Sequence, residues 1–102
     1  MSKKSKDRNI MEHLSKVELI GRVGRVEEQI INNNRLVRFT VLVETKFGEA
    51  VQCTWFNCVY WGNIEVQKGT DIHLNGRLVG QQYTDQDGNP RQYLEVKVNQ
   101  IF

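Results

Sequence analysis

Apolar and polar residues alternate with period two through most of this chain, a pattern that fits a half-buried sheet and not a helix. In "KVELIGRVGR", residues 16–25, Val17, Leu19, Gly21 and Val23 fall on one face, with Lys16, Glu18 and Arg22 on the other. In "RLVRFTVLVET", residues 35–45, Val37, Phe39, Val41 and Val43 point one way, and Arg38, Thr40 and Glu44 the other. "VQCTWFNCVYW" (51–61) reads as a third strand. "DIHLNGRLVGQQY" (71–83) is a fourth, with Ile72, Leu74, Gly76 and Leu78 inward. "RQYLEVKVNQIF" (91–102) is a fifth, with Leu94, Val96 and Val98 inward. Turn-forming clusters separate them: "NNN", "KFGEA", Lys68-Gly69 and "TDQDGNP", where Asp87-Gly88 is the strongest hairpin signal.

Long strands expose edges that invite aggregation unless the sheet closes on itself. An all-β, five-stranded Greek-key barrel, the OB-fold, is therefore expected; an SH3-like barrel has shorter strands. At 102 residues the chain holds one domain. Residues 1–14 are polar and aperiodic and are expected to form a flexible basic arm, leaving 15–102 as the folded domain.

Charge is uneven. Residues 1–16 carry five basic side chains against two acidic ones, and the rest of the chain nine against ten. The folded body is not basic as a whole. A polyanion must be met by a local patch, by the arm, or by something other than charge.

Several functions are disfavoured. No run approaches the roughly 18 apolar residues of a membrane span, and the N-terminus lacks the apolar stretch of a secretory signal. With only two cysteines, a reducing cytoplasm is expected. Cys53 and Cys58 are an odd number of residues apart, so on a strand they face opposite ways and neither pair nor share a metal. No catalytic set, phosphate loop or metal cluster is visible, so neither enzyme activity nor a cofactor is expected.

The aromatic residues are the informative ones. On the third strand Trp55, Asn57, Val59 and Trp61 share one face, and Thr54, Phe56, Cys58 and Tyr60 the other. Parity alone leaves open which face is the core. If the tryptophans are inside, Asn57 is buried between them and needs partners. If they are outside, two indoles about 20 Å apart are available for stacking. Bases stack on aromatic rings with a gain of about 1–3 kcal/mol each, whatever the sequence.

"SKVELIGRVGR", "VRFTVLVET", "TWFNCVYWG", "KGTDIHLNGRL" and "YTDQDGNPRQYLEVKVNQI" resemble, in order and spacing, the bacterial single-stranded-DNA-binding protein family. The resemblance covers about residues 15–101. It implies an OB-fold, assembly as a homotetramer, and binding of single-stranded DNA without sequence preference. It implies a cytoplasmic, nucleoid-associated role in replication, recombination or repair. By position it makes Trp55, Trp61 and Tyr83 stacking residues, with Phe47 a looser match and Lys68 a basic contact in the KG turn. Asn57 stands where a basic residue is common, and Arg22, Arg38, Arg77 and Arg91 complete the expected nucleic-acid contacts. Phe56 and His73 match subunit-interface positions. On this reading Cys58 and Tyr60 pack inward.

The chain also departs from the pattern. "NIEVQ" is too short for the helix that usually links the third and fourth strands. Val79, Gln81 and Gln82 replace basic residues. The sequence stops at Phe102 without the acidic tip that recruits partner enzymes, so a tail-less member is expected. A similar tail-less primosomal replication protein is dimeric, which keeps a homodimer open. An OB domain that mainly binds other proteins is the alternative from a different class.

Overall fold

The computed structural model describes residues 13–102. The expected arm at 1–14 lies almost wholly outside them. Five strands form in chain order: β1 (Lys16–Ile31), β2 (Asn34–Phe47), β3 (Ala50–Trp61), β4 (Asp71–Thr84) and β5 (Pro90–Ile101). They close into a barrel in the order β1-β2-β3-β5-β4, with β1 pairing back onto β4. All pairings are antiparallel except β3–β5, a short parallel step at Cys58↔Val96 and Val59↔Lys97. This is the expected OB-fold.

The hairpins follow from turn chemistry. Asn32 and Asn33 both take positive φ, 51° and 69°, as a two-residue hairpin turn requires and asparagine tolerates. Gly88 does the same at φ 82° in the β4–β5 turn. The inward alternation builds the core from Leu19, Val23, Val37, Phe39, Val41, Cys58, Leu74 and Val96. Ile64 and Val66, from the connection between β3 and β4, pack against that core. They supply cover in a segment too short for a helix.

Two expectations need correcting. β1 does not stop near Arg25 but continues to Ile31, because a bulge between Val23 and Val26 shifts the register and resets which residues face inward. Leu94 was read as core but is 57% exposed. β5 meets β3 only at Val96 and Lys97, so the β4–β5 hairpin runs beyond the barrel at Leu94 and has no opposite wall. Val59 shares the face of the tryptophans, as parity gives, and is buried there. It lies diagonal to buried Leu36 on that face, and the two form an apolar floor beside Trp61.

Candidate nucleic-acid interface

Paired residues on neighbouring strands share a face, so register defines the outer surface. Leu42 stands opposite Trp55, Thr40 opposite Asn57, Arg38 opposite Val59 and Leu36 opposite Trp61. Beyond β3, the Val59↔Lys97 step leads to β5. There Lys97, Glu95, Tyr93 and Arg91 stand opposite Arg77, Val79, Gln81 and Tyr83 of β4.

This surface displays large rings. Trp55 is 58% exposed, Trp61 52% and Tyr83 51%. Each therefore leaves about half of its surface open to solvent, and the core contains neither tryptophan. Tyr93 joins them: its ring centroid lies 5.9 Å from that of Tyr83, tilted by 57°. Sequence reasoning missed Tyr93, although its outward parity with Glu95 was enough to find it. The β1 bulge places Gly24 against the Trp55 indole.

The polar groups divide into committed and free. Arg38 donates from Nη1 to Oε2 of Glu95 at 3.1 Å. Glu95 is 4% exposed, the buried charged residue among those described, while the Arg38 side chain remains half exposed. The pair spans β3 and, with Asn57 and Tyr93, lines a cavity of about 200 Å³. Arg91 donates from Nε to Oδ2 of Asp85 at 2.9 Å, and Oδ1 of Asp85 accepts the backbone N–H groups of Asp87 and Asn89. The Arg91 guanidinium, then the Asn89 amide, hold the Asp85 carboxyl below its usual range. Arg38 and Arg91 thus have structural partners on the face where they were expected as contacts.

Arg22 shares a transverse row with Leu42 and Trp55 and faces Asp71 at 3.6 Å, an exposed pair of little energetic consequence. Backbone hydrogen bonds from Gly69 to Val23 and from Val23 to Thr70 dock the Lys68-Gly69 turn beside Gly24, at the Trp55 end. Phe47 is 62% exposed at the β2–β3 tip, but alternation puts it on the opposite face from Trp55. The structure does not bring it to the aromatic row.

The expected interface residues also separate. Phe56 is half-buried against the core on the same face as Cys58. His73 lies on the opposite wall, where its Nε2 is 2.6 Å from Oε2 of Glu18 and its ring centroid 4.4 Å from that of Phe102. Ile20 stands opposite His73 and is 66% exposed. Cys58 is buried and Cys53 exposed, so they remain apart as parity required.

A closed five-stranded barrel in this strand order defines an OB-fold domain. The model of the single-strand binding protein family matches residues 14–102, and the chain belongs to that family. Among solved structures, it is similar to one titled as a Plasmodium falciparum SSB complex with ssDNA. That match has a TM-score of 0.76 and 22% identity, covering 86% of this chain and 88% of the other. At that identity the likeness speaks for the fold. No curated protein matches the chain.

Proposed function

We propose that this protein binds single-stranded DNA without sequence preference, by stacking bases on Trp55, Trp61, Tyr83 and Tyr93. The observation that carries this reading is the open aromatic face: three rings more than half exposed on one continuous outer surface. Rings stack on any base, which suits a folded body with no excess of positive charge. Family membership and the fold shared with a single-strand-binding complex support the same reading. Replication, recombination or repair is the setting we assign to it.

The opposite wall favours a second copy of the chain as partner. Ile20 and Phe102 are 66% and 61% exposed around His73, an apolar cluster that a homodimer or homotetramer would cover. The direct test is titration with oligo-dT while following tryptophan emission. Saturable quenching is the expected result. Unchanged emission, with no binding by an independent method, would overturn the reading.

A further inference from the structure

Arg35 of β2 holds both ends of the short segment that follows Trp61. Its backbone oxygen accepts the Gly62 N–H at 2.9 Å, and its Nη1 donates to the Ile64 carbonyl oxygen at 3.0 Å. The chain leaves β3 between these two bonds, with Gly62 at φ 137°, a conformation that residues with a side chain rarely adopt. Nη2 of the same guanidinium lies 2.7 Å from Oε2 of Glu28 on β1. The fork is thus aimed by one strand, carried by a second and closed on the connection after a third. A planar guanidinium serves two acceptors at fixed angles, and bonds of this charge-assisted kind are roughly twice as strong as neutral ones. The Arg35 side chain is only 22% exposed, so little water competes for its donors.

The connection from β3 to β4, residues 62–70, contains neither helix nor strand. It is fixed at two places instead. At its start Arg35 takes Gly62 and Ile64, and the Ile64 side chain packs against the core. At its end the Gly69 N–H donates to the Val23 carbonyl, and the Thr70 carbonyl accepts the Val23 N–H, beside Gly24 and the Trp55 indole. Each tryptophan therefore has its own anchorage. Trp55 has the β1 bulge and the Lys68-Gly69 turn, and Trp61 has the Arg35 clamp.

Trp61 is the last residue of β3 and pairs with Leu36, the neighbour of Arg35 in the chain. Beyond that pair the β2–β3 ladder ends, so the direction in which the backbone carries the ring depends on what holds residues 62–64. Resting on the proposed stacking reading, we infer that Arg35 is the positioning residue of Trp61. Its side chain is engaged with Glu28 and Ile64 and acts on the strand only through the ring. The clamp keeps the half-exposed indole ordered before a base arrives, which removes an ordering cost from binding. Glu28 acts through Arg35 in turn, by orienting the guanidinium.

The test follows one indole at a time. The chain has two tryptophans, so Trp61 alone emits in a Trp55→Phe background and Trp55 alone in a Trp61→Phe background. Arg35→Met, Arg35→Lys and Glu28→Gln are placed in each, and the emission anisotropy is read without DNA. Arg35→Met should lower the anisotropy of Trp61 and leave that of Trp55 unchanged. Arg35→Lys, which offers a point charge in place of a fork, and Glu28→Gln should lower it less. In the chain with both tryptophans, Arg35→Met should weaken oligo-dT binding about two- to tenfold, the effect of having to order one side chain on binding. Unchanged Trp61 anisotropy, or unchanged affinity, would overturn the role, whatever happens to the unfolding midpoint. Equal loss of anisotropy at both tryptophans would also overturn it, as a general loosening of the barrel. If Arg35→Met does not fold, the two milder variants decide by the same readouts. Failure of the unmodified chain to bind oligo-dT would instead overturn the stacking reading itself, and it is told apart because it involves no substitution.

Discussion

Gly24 of β1 lies directly against the Trp55 indole: a β-carbon built on Gly24 would sit 2.5 Å from Cζ3 and 2.9 Å from Cη2. The same carbon would be 2.6 Å from Oγ1 of Thr40, which accepts the Arg25 backbone N–H at 2.9 Å. The bulge at Val23–Val26 brings the backbone to this position, and only hydrogen at Cα leaves the ring where it is. Both obstructed groups belong to side chains and not to backbone: the half-exposed indole can swing away, and the Thr40 hydroxyl has to give by a fraction of an ångström in its bond to the Arg25 N–H, so the barrel need not break.

Gly24→Ala is therefore expected to keep the fold but move the Trp55 ring. Oligo-dT affinity should fall severalfold, and the tryptophan emission of the free protein should shift. Affinity and emission both unchanged would show that Trp55 does not stack in the position seen here.

The Arg38–Glu95 pair makes an asymmetric expectation. Arg38→Met leaves a buried carboxylate without its cation and should cost about 3 kcal/mol or more in urea unfolding. Glu95→Gln leaves a half-exposed guanidinium that water can solvate, and should cost only about 1–2 kcal/mol. It also removes a negative charge from the aromatic face, so affinity at low salt should rise. Equal destabilisation by the two variants would contradict the assignment.

Much of this was legible before the structure. Period-two alternation located all five strands, and the Asn and Gly turns located the hairpins. Alternation also separated Trp55 and Trp61 from Cys58. What failed did so where alternation loses its meaning. The β1 bulge reset parity after Val23, so the strand beyond it was missed. Leu94 obeyed the alternation, yet the hairpin carries it past the barrel, a matter of strand length against barrel height. The Glu95–Arg38 pair joins residues distant in sequence across an intervening strand, and no local pattern announces it.

Asp85 organises the turn that carries Tyr83 and Tyr93. Asp85→Ala removes the acceptor for Arg91, Asp87 and Asn89 together. The hairpin should fray, with faster amide exchange at 83–93 and weaker oligonucleotide binding. The carboxyl titrates below its usual range, so its support is present above the unfolded value and is lost as pH falls through the folded one. Binding carried by the hairpin should weaken in that acid window. Wild-type exchange rates in Asp85→Ala would exclude this role.

The two cysteines should behave differently. Burial, then the Glu95 carboxylate, pushes the Cys58 thiol up to about 12. An unfolded thiol ionises lower, so between its ordinary value and about 12 the folded state binds the extra proton. Stability should be complete below that interval and decline as pH rises through it. At pH 8 a thiol reagent should label Cys53 alone, with Cys58 reacting only on unfolding. Rapid labelling of both thiols would contradict the burial.

The central claim, that bases stack on the outer face of β3, is tested most directly by oligo-dT affinity of Trp55→Ala and Trp61→Ala beside their unfolding midpoints. The expected result is a loss of about 1–3 kcal/mol in binding for each, with the midpoint little changed because both rings are more than half exposed. Unchanged affinity, or collapse of the fold in either variant, would contradict it.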